Sequence, residues 1–207
     1  MSSNPPSPEA SAARPLNNLI TGSVAANWSP GGAAPDDRPA FAIAVDTVLR
    51  LTAEIARNFI GAHQSAATLI VSEDWQHARK WFSLSEKYSP WYEYRAPAVG
   101  FGLHALVVHD NKPLRLTNEE LEAHPGWHGF GSQATSHPPM RGWLAVPLIG
   151  IDGHNYGLLQ LSDKYDDADF TLDDEQHLTQ LAQLTATTLD LLRASYPEQG
   201  LGQAAQK

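Results

Sequence analysis

Residues 138–165 read PPMRGWLAVPLIGIDGHNYGLLQLSDKY, and this stretch decides the fold. Two short apolar segments, residues 142–149 and 156–162, predict two β-strands. The residues between them, Ile151-Asp-Gly-His154, favour a tight hairpin turn because an Asp-Gly pair tolerates the positive φ angles that such turns need. Pro147 has no N–H to donate to a ladder, so its strand is predicted to be an edge or to contain a bulge there.

Long helices are predicted on both sides of this hairpin in the sequence. Residues 40–61 place apolar side chains at three- and four-residue spacing, and Gly61 is a plausible C-terminal stop. The predicted stripe of this first helix consists of Phe41, Val45, Val48, Thr52, Ile55 and Phe59. Near the other end, Thr171-Leu-Asp-Asp174 supplies an N-cap and an acidic first turn. The stripe of that last helix consists of Leu178, Leu181, Thr185, Leu189 and Leu192, widened by Leu184, Thr188 and Leu191.

The region between the helix at 40–61 and the hairpin shows weaker patterns. Strands are predicted at residues 66–72, 76–85 and 112–116, and loops at residues 89–97 and 126–139. A capping-box pattern at Thr117 to Glu120 starts a short helix that ends near Pro125. Residues 99–108 suit either a buried helix or a strand. Strands joined by a hairpin, with helices at both ends of the chain, indicate an α+β fold.

Composition excludes several classes of function. The chain of 207 residues has 14 basic and 23 acidic residues, a net charge of −9 and no basic run, so neither nucleic acid nor an anionic membrane is an expected partner. It has no cysteine, which excludes disulfides, thiolate metal sites and cysteine nucleophiles. We find no secretory signal and no apolar run of membrane-spanning length, and we expect a cytoplasmic protein.

The ends of the chain differ from its body. Residues 1–39 contain seven prolines and few large apolar residues, and residues 196–207 are polar and rich in Gly, Gln and Ala. Such segments bury too little apolar surface to offset the entropy lost on ordering. We therefore predict a disordered arm at 1–39, one domain at 40–195 and a disordered tail at 196–207.

The order of the motifs resembles a known family. The hairpin region 138–165 and the run FTLDDEQHLTQLAQ at 170–183 strongly resemble the GAF domain. Upstream, residues 61–68, 83–88 and 121–131 look like the GAF modules of bacterial multidomain, hybrid sensor histidine kinases. The resemblance spans residues 40–195 and implies a GAF-like, PAS-like fold, with a central antiparallel sheet of about six strands. The N- and C-terminal helices would pack together on one face of that sheet.

The same resemblance implies a function. GAF domains bind cyclic nucleotides, tetrapyrroles, haem or small metabolites in a pocket on the other face, and some bind nothing known. Because the chain has no cysteine, it resembles neither the usual covalent bilin photoreceptors nor the cysteine-dependent methionine-sulfoxide reductases of this fold. We expect no catalytic activity, an unidentified small-molecule ligand, a homodimer through the terminal helices, and a signalling kinase or effector as partner. The identity of the cofactor stays unknown.

Five residues are candidates for lining the ligand pocket: Trp127, His128, Phe130, Arg141 and Trp143. Aromatic rings with a few polar groups suit a planar ligand. A guanidinium just before a strand could clamp a carboxylate or phosphate of that ligand. The alternatives are that the rings are core and loop anchors, and that Arg141 forms a structural ion pair with Glu119, Glu120 or Glu122.

Histidines and aspartates near these residues suggest two further sites. His124, His128 and His137 could together bind Zn²⁺ or haem iron, but the Pro-Gly between the first two prevents helical spacing. Their alternative role is to cap or hydrogen-bond the backbone. Asp163, Asp166, Asp167 and Asp169 lack the Gly and Glu spacing of a calcium loop and predict a solvated turn.

Three functions therefore remain open at this point. The first is a ligand-binding sensory domain that signals through its terminal helices. The second is a dimerisation or interaction module whose pocket is filled by its own side chains. The third is a metal or haem protein that uses the three histidines.

Overall fold

A computed structural model describes residues 39–70, 78–93, 102–127 and 138–198 of the chain. The helices are α1 (Ala40–Ile60), α2 (Leu103–Asp110), α3 (Asn118–Ala123) and α4 (Leu172–Ser195). The strands are β1 (Ala62–Ile70), β2 (Ala78–Leu84), β3 (Leu114–Leu116), β4 (Trp143–Ile149) and β5 (Asn155–Lys164). Short 3-10 helices span Glu86–Trp91 and Tyr165–Asp167.

The strands form one antiparallel sheet in the order β2-β1-β5-β4-β3. The described residues thus contain five strands, close to the six expected, and the α+β fold is confirmed. The predicted hairpin joins β4 to β5, and its register shifts at Leu148/Ile149. On one side, Pro147 pairs with β5. On the other side, the described pairing of β4 with β3 ends at Ala145, so β4 is an edge strand at the proline.

Helices α1 and α4 pack antiparallel to each other on the first face of the sheet, as expected. The ring of Phe41 lies against Tyr196, with centroids 5.4 Å apart, so the start of α1 meets the end of α4. Midway along, the Thr52 and Thr185 hydroxyls are 3.0 Å apart and buried. This pair explains how both apolar stripes accommodate a threonine: each buried hydroxyl has a hydrogen-bonding partner on the other helix.

The predicted stripe of α1 is wrong in its second half. Ile55 and Phe59 are 50% and 68% exposed. The buried face instead continues through Ala53, Ala56 and Ile60. The physical reason is that small side chains let the helix backbone approach the sheet closely, so the alanines face the sheet and the larger residues turn outward.

The second face of the sheet carries a smaller apolar cluster with α2 and α3. Its buried members are Leu103, Val107, Val108, Leu116, Leu121, Trp143, Ala145 and Leu158. Of the segment 99–108, which the sequence left open as helix or strand, residues 103–108 belong to α2. Residues 1–38 of the predicted disordered arm and residues 199–207 of the predicted tail lie outside the described residues. In the described part of the chain, every helix is too short or too polar to cross a membrane.

The N-terminus of α4 has the predicted cap. The Thr171 hydroxyl accepts a hydrogen bond from the Asp174 N–H at 3.2 Å, and the Asp174 carboxylate accepts one from the Thr171 N–H at 2.7 Å. A second, equally reciprocal box joins Thr117 and Glu120 at the start of α3. Each box satisfies backbone donors that a helix start would otherwise leave unpaired.

We expect Thr171→Ala to lower the free energy of unfolding by about 1 kcal/mol, because it removes an N-cap acceptor. Urea denaturation would measure the change. Thr179→Ala is the matched control, since the Thr179 hydroxyl is exposed and bonds only the Glu175 carbonyl. Equal losses in the two variants would contradict the assigned role of the cap.

Candidate functional site

Polar side chains from three elements meet on the second face of the sheet. The Nζ atom of Lys80, on β2, lies 3.4 Å from Nε2 of His104, in the first turn of α2. The same Nε2 atom lies 2.5 Å from Oε1 of Gln160, on β5. Alternation along the strands puts Lys80 and Gln160 on the face away from α1 and α4, where His104 covers them. We call Lys80, His104 and Gln160 the polar cluster.

The polar cluster lies among apolar neighbours. Gln160 is opposite Ala66 on β1 and Ala145 on β4, and both alanines are buried. The His104 ring packs edge-on against Trp143, with centroids 5.6 Å apart. Burial in these surroundings disfavours the charged ammonium and lowers the pKa of Lys80 to about 8.

Two buried polar atoms near the cluster lack a hydrogen-bond partner. Thr68 lies directly opposite Lys80 in the β1–β2 ladder, and its Oγ1 atom is unpaired. The Nε1 atom of Trp143 is likewise buried and unpaired. Burying such groups without a partner costs about 1–3 kcal/mol each, so we expect a bound water or ligand to supply the missing partner.

A second polar group lies where β5 ends. Asp163 is only 1% exposed, and its Oδ2 atom accepts hydrogen bonds from the Tyr88 hydroxyl and the Lys87 ammonium, both at 2.6 Å. Burial, together with the bond to Asp163, raises the pKa of Tyr88. The prediction that the acidic segment is solvated is therefore wrong for Asp163. The residue instead joins the 3-10 helix after β2 to the end of β5.

We expect Tyr88→Phe to lower the free energy of unfolding by about 1–2 kcal/mol, because it removes one of the two side-chain donors to a buried carboxylate. Thermal and urea unfolding at pH 7 would measure the loss. Tyr92→Phe is the comparison variant, since Tyr92 is exposed. A loss of the same size at position 92 would show that the Asp163 contact is not the cause.

Two of the residues predicted to line a pocket belong to the apolar cluster on the second face. Trp143 is fully buried in it, and Trp127 is partly buried against it. His128 and Phe130 lie outside the described residues. The sequence thus assigned both described tryptophans to the sheet face that carries the polar cluster, although it missed the cluster itself.

Arg141 forms an ion pair that the sequence did not anticipate. Its Nη1 atom lies 2.8 Å from Oδ1 of Asp167, in the 3-10 helix after β5. Glu119, Glu120 and Glu122 were the predicted structural partners, and none of them forms this pair. The Arg141 backbone also binds β5: its N–H donates to the Ser162 hydroxyl, and its carbonyl accepts from the Asp163 N–H.

The described histidine of the predicted metal site binds the backbone. Nδ1 of His124 accepts a hydrogen bond from the Gly126 N–H at 3.0 Å, which is the alternative role that the sequence left open. His128 and His137 lie outside the described residues. Among residues 39–70, 78–93, 102–127 and 138–198, no three His, Asp or Glu side chains are grouped so that they could hold a metal ion.

Sequence reasoning did not single out Lys80, His104 or Gln160. Their one local signal is position: Lys80 and Gln160 each interrupt an apolar strand pattern on the side that should face the core. His104 likewise interrupts the apolar segment 98–108. A polar residue at a core-facing position indicates either a hydrogen-bonded network or a site.

Comparison with known proteins identifies the family. The sequence model of the family described as "GAF domain" matches residues 42–190. The GAF domain of a phosphoenolpyruvate-protein phosphotransferase (ptsP) from Coxiella burnetii is similar in structure, with TM-score 0.58, 19% identity, and coverage of 80% of this chain and 89% of that one. No curated protein is significantly similar in sequence.

Two signalling proteins have a similar fold. The GAF domain of the cyanobacteriochrome TePixJ has TM-score 0.57 and 12% identity, with coverage of 72% of this chain and 91% of that one. Residues 122 to 287 of a methyl-accepting chemotaxis protein have TM-score 0.57 and 13% identity, with coverage of 73% and 92%.

Proposed function

Since the chain belongs to the GAF domain family, we propose that it is a sensory domain that binds a small molecule on the second face of its sheet. Binding there would be signalled through α1 and α4. Its structural relatives include a photoreceptor, a chemotaxis protein and a phosphotransferase, and these fit a regulatory role. The predicted likeness to the GAF modules of hybrid sensor histidine kinases belongs to this proposal, with such a kinase or another effector as partner in the cytoplasm.

One observation carries the proposal. The polar cluster of Lys80, His104 and Gln160 lies beside the apolar cluster of the second sheet face, and His104 packs against its Trp143. Binding sites for small molecules combine apolar walls with a few convergent polar groups. A core that served stability alone would gain from an apolar residue in place of a partly buried lysine, because burial disfavours the ammonium.

Hydrogen bonds between α4 and the β4–β5 hairpin support the proposal that binding is signalled through the terminal helices. Gln160 lies on β5, and Tyr156 on the same strand donates a hydrogen bond from its hydroxyl to Oδ1 of Asp190, at 2.5 Å. The other carboxylate oxygen of Asp190 accepts from the Ile151 N–H at 2.8 Å. Asp190 therefore ties the last turns of α4 to both β5 and its hairpin. A ligand that shifts β5 would bias the position of α4, provided that it binds the two arrangements with different affinities.

The outer surfaces of α1 and α4 support a homodimer. Leu184 and Leu191 of α4 are 65% and 63% exposed, and Ile55 and Phe59 of α1 are also exposed. Exposed apolar residues on two helices that pack against each other favour an interaction surface. We propose that a second copy of the chain covers this surface around a two-fold axis.

We propose no catalytic role for the domain. The polar cluster offers a cation and hydrogen-bonding groups to a ligand, and the chain has no cysteine to serve as a nucleophile. Lys80 is the described residue most suited to react with a carbonyl, because its lowered pKa leaves part of it neutral near pH 8. Borohydride trapping with pyruvate, followed by mass analysis, would give no adduct if the domain only binds.

Native mass spectrometry of the purified full chain tests ligand binding. We expect a mass that exceeds that of the bare chains by a fixed increment, and a mass equal to the bare chains under denaturing conditions. The increment is expected to be lost or reduced in Trp127→Ala while the thermal transition remains cooperative. Bare chains in the wild type, with no melting shift in a metabolite panel, would instead favour an interaction module that fills its own pocket.

Spin labelling tests the dimer. Because the chain has no cysteine, Gln183→Cys places a single label on the exposed side of α4. We expect dipolar coupling between two protomers, lost in Leu191→Glu and kept in the control Gln176→Glu. A wild type that shows no coupling at micromolar concentration would contradict the dimer.

A further inference from the structure

Lys80 is a cation for which the described residues supply no counter-ion. Its Nζ atom has His104 as its described neighbour, and no carboxylate of the described residues forms an ion pair with it. Burial is the cause of its lowered pKa, and no neighbouring acid opposes that effect. This is unusual in a chain with 23 acidic residues, because a partly buried ammonium is normally paired.

The start of α2 adds positive potential at the same place. The N-cap residue of α2 is Gly102, which has no side chain with which to cap the helix. The His104 side chain extends from the first turn, and its Nε2 atom lies 3.4 Å from the Lys80 Nζ atom, so this helix end lies over the same part of the sheet face. Backbone N–H groups and the helix dipole make an uncapped N-terminus favourable for an anion.

A third donor lies on the same sheet face. Thr68 is opposite Lys80 on the neighbouring strand and so shares its sheet face. The residue is 4% exposed, and its hydroxyl has no hydrogen-bond partner. An ammonium, a helix N-terminus and a hydroxyl donor therefore share one region of the sheet face, where the described residues supply no negative group.

We propose that the small molecule bound by this domain carries an oxyanion, a carboxylate or phosphate, which sits between Lys80, Thr68 and the first turn of α2. This inference rests on the proposed function, since it names the ligand class for the same sheet face. The oxyanion would neutralise Lys80, accept a hydrogen bond from the Thr68 hydroxyl and cap α2. The rest of the molecule would lie against the apolar side chains around Gln160.

Matched pairs of acids and neutral analogues test the proposal on the full chain. The probes are benzoate with benzamide, butyrate with butyramide, and phenyl phosphate with phenol. We expect at least one acid of these pairs to raise the melting temperature saturably and its neutral partner to have no effect. In protein with ¹³C-labelled lysine, the same acid is expected to shift the Lys80 Cε signal, identified by its absence from Lys80→Gln.

Variants distinguish binding of the acid at this site from nonspecific binding to other lysines. Lys80→Gln and the isosteric Thr68→Val are each expected to weaken binding of the acid at least tenfold. Lys112→Gln, which removes an exposed lysine beyond the other end of α2, is expected to leave binding unchanged. Thr68→Val keeps the test valid if Lys80→Gln folds poorly.

The possible failures are distinguishable. Equal binding of acids and neutral analogues would overturn the oxyanion inference and leave the proposed function standing. Binding of neither kind of probe would also overturn the inference. The native mass spectrum would then decide separately whether the proposed function fails with it, because a retained neutral ligand would preserve that function.

Discussion

Gly157→Ala is expected to prevent stable folding, at a cost of more than about 4 kcal/mol. Gly157 lies in β5 next to the register shift. Its φ is +140, a backbone conformation that residues other than glycine rarely adopt. A Cβ atom there would lie 1.9 Å from the Thr68 carbonyl oxygen of β1. Because the obstacle is backbone in the middle of the sheet, relief would require β1 and β5 to separate.

Gly153→Ala is the matched control for this result. Gly153 lies in the β4–β5 hairpin and also has a positive φ, +82, but a Cβ atom there would meet nothing within 4 Å. The expected cost is about 1 kcal/mol, from the left-handed backbone alone. Circular dichroism and urea unfolding of both variants would measure the difference. A folded Gly157→Ala with a loss near that of the control would contradict the close approach of β1 and β5.

Lys80→Met is expected to stabilise the ligand-free protein at pH 7, by up to about 3 kcal/mol. The pKa of Lys80 falls from 10.5 to about 8 on folding, and each pKa unit corresponds to about 1.4 kcal/mol of cost for holding the group charged. Methionine fills a similar volume without a charge to desolvate. Urea denaturation of the variant beside wild type, without added ligand, would measure the gain.

The pH dependence of this gain identifies its cause. Below pH 8 the lysine is protonated in both the folded and the unfolded state, so the full penalty is present in wild type. Between pH 8 and 10.5 the folded state releases the proton first, and wild-type stability rises relative to Lys80→Met. The difference between the two proteins should therefore shrink toward pH 10.5. A difference that is constant with pH would assign the effect to packing.

The same substitution is expected to abolish binding of the acid probes. A residue that destabilises the fold but is needed for a ligand is typical of binding sites, where function and stability conflict. Loss of binding together with a more stable fold would distinguish Lys80 from a structural residue, whose replacement would weaken both.

Elements governed by local sequence could be predicted. The N-caps at Thr117 and Thr171 depend on residues three positions apart, and the β4–β5 hairpin depends on an Asp-Gly turn between two apolar segments. Gly61 ends α1 in the left-handed conformation that the sequence suggested. These interactions form between near neighbours, so their residues carry the whole signal.

The site could not be predicted in the same way. His104 lies 24 positions from Lys80 and 56 positions from Gln160 in the sequence, yet its side chain contacts both. Nothing in the local pattern of β2, α2 or β5 shows that these elements meet. Asp163 looked like part of a solvated turn because it lies close in sequence to Asp166, Asp167 and Asp169. Its burial depends on Tyr88, which belongs to a different part of the chain.

The sequence by itself therefore determined the fold class, the helix caps, the hairpin and the exclusion of cysteine chemistry. The tertiary structure alone decided which side of α1 faces the sheet, that Arg141 pairs with Asp167, and that Lys80, without a counter-ion among the described residues, contacts His104 in the first turn of α2. The physical reason is the range of the interactions. Caps and turns are satisfied within a few residues, whereas burial and charge compensation depend on which distant segments the sheet brings together.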